Sequence, residues 1–308
     1  MNSKARMIFM GTPDFAVPVL KACLEKYDVK LVVTQPDKLV GKKQELVFSP
    51  IKKVALEHNI SVFQPEKIRN DYEIISEINP DIIVTCAYGQ IIPEDILNIP
   101  KYGCINVHAS LLPKYRGASP MQAAILNGDT TTGVTIMYMD KNMDTGDIIA
   151  KEEIPINIDD DIGTIHDKLS LLGRDLLVKT MDKILDGSAE RQKQDEASAT
   201  YTKLIKREDE KLSFDDKAIN IYNKIRAFSP LPLCFISLNI GDIKIIKASY
   251  INEKVNSVGQ VIVNKNNIAI TCQDGLIILE KIKPIGKKEM AIKAFINGLK
   301  GKNLFLIK

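Results

Sequence analysis

Apolar residues run almost unbroken through 6–11 (RMIFMG), 29–34 (VKLVVT) and 81–87 (DIIVTCA), the pattern of parallel strands covered on both faces. Between them, 50–58 and 72–78 carry apolar residues at helical spacing. Thr12 ahead of Pro13, with Phe15, Val19 and Leu20 following, predicts a helix start with Thr as N-cap and Pro at the first helical position. Strand and helix alternate, which predicts an α/β fold: a doubly wound, mostly parallel, Rossmann-like sheet. The stretch 162–185, with Leu169, Leu172, Leu176 and Met181 among its apolar positions, predicts a long amphipathic helix. Residues 186–202 (DGSAERQKQDEASATYT) are polar and aperiodic, as a linker is. One helical pattern follows at 215–228, with Ile219, Tyr222, Ile225 and Phe228 recurring every three residues. Five short runs (CFISLNI, IKIIKASY, GQVIVN, IAITCQ, GLIILEKI), parted by Gly, Asn and Asp, then predict a small C-terminal β-barrel of oligonucleotide-binding type. The division is thus 1–186, a linker at 187–202, and 203–308.

A length of 308 residues exceeds the usual single core, in keeping with two domains. With 45% hydrophobic and 26% charged residues the chain reads as an ordinary globular protein rather than a disordered one. No apolar run reaches the length of a membrane span, and MNSKARMIFMG has no signal-peptide pattern, so a cytoplasmic location is expected. Five scattered cysteines without C-x-x-C spacing read as buried fillers, and no metal site is expected. The net charge of +3 hides an asymmetry. Residues 1–200 hold 23 Lys and Arg against 29 Asp and Glu, net −6, whereas 201–308 hold 19 against 10, net +9. A basic module beside an acidic one suits contact with a polyanion.

The chemistry concentrates in 106–144, NVHASLLPKYRGASPMQAAILNGDTTTGVTIMYMDKNMD. In an extended strand Asn106 and His108 share a face, about 7 Å apart. An amide able to donate to a developing oxyanion then stands beside an imidazole able to take a proton near neutrality, a pairing suited to acyl transfer. Asp144 is the carboxylate that would orient that imidazole. His58 and His166 lie in helical patterns without such neighbours. GTPDF at 11–15 matches neither phosphate-loop motif and reads as a strand-to-helix turn. The connection QPDKLVGKKQELVFSPIKK at 35–53 reads as a long, mobile basic loop at the ligand-binding edge of the sheet.

MGTPDFAVPVL at 10–20, TQPD at 34–37, AYGQIIP at 87–93, the block 103–149 and IRAFSPLP at 225–232 together resemble the formyltransferase superfamily that uses 10-formyltetrahydrofolate. TQPD, the basic stretch after it and IRAFSPLP are similar to the branch that acts on charged tRNA. The resemblance implies Asn106, His108 and Asp144 as the catalytic triad, and Ser110, Leu111, Leu112 and Pro113 as folate contacts. It implies a pterin pocket lined by backbone of 88–93 and 140–144. It further implies 10-formyltetrahydrofolate as co-substrate without a metal, and formyl transfer to the α-amine of methionyl-tRNA, the initiator, by a monomer. Lys38, Lys42 and Lys43 would meet the tRNA. There the chain departs from the family: KLVGKKQE stands where an Arg-containing, PAGRGKK-like stretch is usual, and Lys42 occupies a position where Arg is common. A lysine does not reproduce a bidentate guanidinium contact. Three other readings stay open on the sequence: formyl transfer to a small amine, hydrolysis of formyl-folate, and an RNA-binding barrel fused to an idle α/β domain.

Overall fold

In the computed structural model residues 5–41, 43–299 and 303–307 are described. They form two compact units, one holding the stretches up to 120, 132–154 and 166–202, the other holding 121–131, 155–165 and 203 onward. The first unit is built on strands β1 (Arg6–Gly11), β2 (Asp28–Val33), β3 (Ser61–Phe63), β4 (Ile82–Cys86), β5 (Cys104–His108), β6 (Thr131–Tyr138) and β7 (Ile148–Pro155). They lie in the order β7-β6-β5-β4-β1-β2-β3. Strands β1 to β5 pair in parallel, and β6 runs antiparallel to β5. Helices α1 (Val17–Lys26), α2 (Pro50–Glu57), α3 (Glu73–Ile78) and α4 (Glu94–Leu97) fall between the parallel strands in the chain, and α5 (Pro120–Leu126) falls between β5 and β6.

The unbroken apolar runs have the expected cause. Met7, Ile8, Phe9 and Met10 in β1 are all fully buried, as are Ile82, Ile83 and Val84 in β4, so both faces of the central strands are covered. Ile8, Met10, Leu31 and Val33 meet Ile68, Ile75 and Ile96 in one cluster on one face. Helix α6 (Ile162–Asp186) lies against β5: a Cβ at Gly173 would come within 2.8 Å of a Val107 methyl. That close approach occupies the Val107 face of β5 and leaves the alternate residues, Asn106 and His108, for the other.

The helix after β1 starts later than the sequence pattern predicts. Asp14–Ala16 form a short 3-10 turn and α1 begins at Val17 without a side-chain cap. Thr12 is diverted: its hydroxyl donates to the carbonyl of Tyr88 and accepts from the amide of Gln35. The 35–53 connection, expected as an open loop, contains an antiparallel hairpin of Lys38–Val40 and Glu45–Val47. Its turn uses left-handed backbone at Gly41 and Gln44.

The second unit contains α7 (Ala218–Ala227) and strands β8 (Phe235–Leu238), β9 (Gly241–Asn252), β10 (Val261–Val263), β11 (Ile268–Thr271) and β12 (Gly275–Pro284). Their order is β8-β9-β12-β11-β10, antiparallel throughout, in a curled half-barrel. The β9–β12 register slips around Lys247, a bulge of the kind that bends a strand. Arg226 of the IRAFSPLP motif is buried and donates to the carbonyls of Asn157 and Asp160 and to the Asn223 side chain, so its charge serves the interior of this unit. All five cysteines are buried and unpaired, and burial pushes the thiols of Cys23, Cys104 and Cys234 up to about 12. Among the described residues no helix is long and apolar enough to cross a membrane.

Candidate active site

Strand β5 delivers two polar side chains to one face because its residues alternate. Asn106 pairs with Thr85 of β4 on one side and Met137 of β6 on the other, and His108 sits opposite Thr135. Thr85, the polar residue in an otherwise apolar strand, points its hydroxyl at Oδ1 of Asn106 from 2.9 Å. With its oxygen so engaged, the Asn106 amide turns its nitrogen the other way, 3.4 Å from Oδ1 of Asp144. Asp144 comes from the turn after β6, with φ of 55°, in the left-handed region. Its Oδ2 lies 3.7 Å from Nδ1 of His108. The three residues singled out in the sequence are therefore brought together.

His108 is 5% exposed, so its ring nitrogens must find partners within the protein. Nε2 lies 3.1 Å from the carbonyl oxygen of Tyr115. A carbonyl only accepts, so Nε2 carries the hydrogen and donates. Nδ1 is consequently the nitrogen that gains or loses a proton, and it faces the Asp144 carboxylate. Oδ2 of Asp144 is also held by the backbone N–H of Gly117 at 2.8 Å.

Beyond β5 the chain turns through Ser110–Pro113. Ser110 and Leu112 are fully buried. The Ser110 hydroxyl donates to the Lys114 carbonyl at 2.7 Å, while Leu112 packs with Met137 and Ile148. Leu111 and Pro113 remain half-buried. Thr135 braces the turn, donating to the Ser110 carbonyl and accepting from the Leu112 amide. Asp140, at the head of the expected pterin-lining stretch, folds its carboxylate back onto the Asn142 amide and the Thr145 hydroxyl. A cavity of about 620 Å³ borders Leu97, Cys104, Tyr138 and Asp140, and none of Asn106, His108 and Asp144 lines it.

Arg116 follows the turn and is fully buried. A charge in that position needs partners. All five of its N–H groups have them: two reach Glu196, two reach Oε1 of Gln194 and one reaches the Tyr201 hydroxyl, at 2.7–3.1 Å. The paired Glu196 carboxylate, foremost, holds the guanidinium well above its ordinary pKa, and Arg116 in return holds Glu196 below the usual carboxylate range.

Of the lysines expected to meet tRNA, Lys38 opens the hairpin and Lys43 stands in its turn. Lys38 and Lys43 are exposed. Lys42 lies outside the described residues. The hairpin is rooted in TQPD. Burial pushes the Asp37 carboxyl up, but hydrogen bonds from Lys52 and Gln64 outweigh it and hold the group below its usual range. Lys52 also lies 4.0 Å over the Phe48 ring. Sequence reasoning missed Thr85, Tyr115, Gly117 and Gln194. Thr85 interrupts an apolar run and was open to notice, whereas the other three act on partners through backbone or across long sequence separations. Among the described residues no cluster of three His, Cys, Asp or Glu is placed to hold a metal ion.

The family model described as "Formyl transferase" matches residues 4–181, and that described as "Formyl transferase, C-terminal domain" matches 204–300. The methionyl-tRNA formyltransferase of Macrococcus caseolyticus is 45% identical over 299 residues, covering 96% of each chain. That of Clostridium acetobutylicum is 44% identical over 298 residues, covering 95% of this chain and 96% of its own. Among solved structures, WlaRD, a sugar 3N-formyl transferase crystallised in the presence of dTDP and 5-N-formyl-THF, superposes with a TM-score of 0.68. It is 25% identical, and the match covers 93% of this chain and all of that one.

Proposed function

The chain belongs to the formyl transferase family, and from that membership we propose that it transfers the formyl group of 10-formyltetrahydrofolate to the α-amine of methionyl-tRNA. The product is N-formylmethionyl-tRNA, the initiator of translation. The relatives named above, 45% and 44% identical over nearly the whole chain, support the substrate, and the formyl-THF present with WlaRD supports a folate donor. The observation that carries the chemistry is the convergence of Asn106, His108 and Asp144 at the end of β5.

The neutral α-amine, with an ordinary pKa near 8, attacks the formyl carbon on N10. Negative charge builds on the formyl oxygen, and the Asn106 amide N–H, whose oxygen is already taken by Thr85, is oriented to donate to it. The amine nitrogen becomes cationic as the new C–N bond forms. His108, acting at Nδ1, takes its proton, while Asp144 steadies the imidazolium that results. Collapse then breaks the bond from carbon to N10, which leaves with the proton that His108 took from the amine. Leu111 and Pro113, the half-buried members of 110–113, offer surface to the folate, with buried Ser110 and Leu112 shaping the turn beneath them. Backbone of 88–93 and 140–144 lines the pterin site. Lys38, Lys42 and Lys43 meet the tRNA phosphates, and the enzyme acts as a monomer in the cytoplasm, where charged initiator tRNA is used. The domains are a catalytic 1–186, a linker 187–202 and a tRNA-binding 203–308.

The deciding experiment combines the protein, 10-formyltetrahydrofolate and methionyl-initiator tRNA, with uncharged tRNA and free methionine as controls. Formylated methionyl-tRNA as the sole formylated product is expected. Formyl-folate hydrolysis without transfer, or preferred formylation of an amino-sugar nucleotide, would overturn the assignment.

A further inference from the structure

Both groups that hold the reactive pair trace to one short stretch of chain. The Tyr115 carbonyl takes the His108 Nε2 hydrogen, and the Gly117 N–H binds Oδ2 of Asp144. That stretch is itself pinned by residues from the polar segment that the sequence marks as a linker. The Thr200 hydroxyl accepts from the Tyr115 amide at 2.8 Å and the Thr200 carbonyl from the Arg116 amide at 2.8 Å. Tyr201 and Thr202 pair in parallel with Arg116 and Gly117.

Gln194 closes the arrangement from the other side. Its Nε2 donates to the carbonyls of Asp144 and Gly146, each at 2.8 Å, and its Oε1 accepts from Nε and Nη2 of Arg116 at 3.1 and 2.9 Å. A glutamine side chain has two N–H donors and two lone pairs, so all four are in use. Its two acceptors flank Thr145, immediately after the left-handed backbone at Asp144. A carboxylate borne on so strained a residue keeps its place only if the surrounding structure over-determines it.

We infer that Gln194 is a positioning residue for formyl transfer, fixing the Asp144 turn against the Arg116 strand so that the carboxylate stays aligned on Nδ1 of His108. This rests on the reading of Asp144 as catalytic. Gln194 touches neither substrate nor reacting atom in this role. Its effect belongs to the chemical step, because displacement of a catalytic group by about 1 Å costs on the order of a hundredfold in rate.

The test is steady-state kinetics of full-length Q194E with methionyl-tRNA and 10-formyltetrahydrofolate, alongside D144N. Q194E keeps size and the acceptor toward Arg116, but sets a carboxylate oxygen against the Asp144 and Gly146 carbonyls in place of the two donors. The expected result is a kcat lowered at least about tenfold, with KM for both substrates within about threefold of wild type. A role in stability alone would leave kcat per folded enzyme unchanged. Should the added charge unfold the chain, Q194M removes both donors without charge and carries the same expectation. Wild-type kcat in either folded variant, or a loss confined to KM, overturns positioning while D144N remains inactive. An active D144N instead overturns the catalytic reading of Asp144, and the inference with it.

Discussion

The backbone N–H of Gly117 donates to Oδ2 of Asp144, the same oxygen that faces Nδ1 of His108. Only glycine suits this position: its φ is +110°, and a Cβ there would lie 2.6 Å from the Thr202 carbonyl oxygen. The glycine of LLPKYRG thus lets a strand pair closely enough to present its amide to a carboxylate 27 residues away. That amide holds Oδ2 at 2.8 Å, and the same oxygen lies 3.7 Å from the imidazole nitrogen. Turn chemistry at Asp144 and close backbone approach at Gly117 therefore meet in a single hydrogen bond, and the placement of Asp144 beside His108 rests on both.

Asn106→Ala should lower kcat by roughly two to three orders of magnitude, the usual cost of one oxyanion donor. Folate affinity, measured by equilibrium titration, should stay within a few fold, since the amide is engaged by charge that develops only during reaction. Near-full turnover in this variant would remove Asn106 from the mechanism.

His108 and Asp144 face each other at Nδ1 and Oδ2, so they should fail as one unit. The double variant H108A/D144A is expected to be little slower than the worse of the two single variants, because the second loss removes a group whose partner is already gone. Multiplicative losses in a double-mutant cycle of kcat would show two independent contributions instead.

What the sequence made legible divides along physical lines. Unbroken apolar runs report strands covered on both faces, and a period of three to four reports a helix with one buried face, so β1, β4 and the amphipathic α6 were readable; the alternation of side chains along a strand likewise showed the shared face of Asn106 and His108. Start signals are weaker, because they assume a side chain caps its own helix. Thr12 instead serves Tyr88, across 76 residues, and α1 begins five residues later. The hairpin at 38–47 places Leu39, Val40, Leu46 and Val47 at exposed positions, so its lysine-rich composition hid the strands behind a solvated pattern. Gln194 was invisible for a different reason. Its neighbours are polar and aperiodic, and its four hydrogen bonds reach back 48 to 78 residues.

Asp81 supplies a pH signature of stability apart from the active site. The Arg6 guanidinium and backbone N–H, its chief partners, hold its carboxyl below the usual 3.8. A depressed folded pKa stabilises the native state above the unfolded value and ceases to do so as pH falls through the folded one. With the pair partly exposed to solvent, D81N should cost about 0.5–1 kcal/mol near neutrality. Urea titrations should show that gap constant from neutral pH down toward 5 and closing below the ordinary carboxylate range. A gap that widens with acid would mean the sign is wrong.

Charge supplies the last expectation. Residues 201–308 carry a net +9, and Lys38 and Lys43 stand exposed on the hairpin. If these cations meet phosphates, tRNA binding releases condensed counterions, and log affinity falls linearly as log salt rises. Folate offers far fewer charges and should respond weakly. Each lysine that contacts a phosphate contributes roughly one unit of slope, so K38A/K43A should flatten the line by about two units while weakening binding across all tRNA sequences alike. Folate affinity and the unfolding midpoint of that variant should match wild type, since both side chains lie in solvent. Binding measured from low to moderate salt decides the matter. A flat line for the wild-type protein would return the basic face to a solvated surface, and an unchanged slope in the double variant would move the contacts off the hairpin.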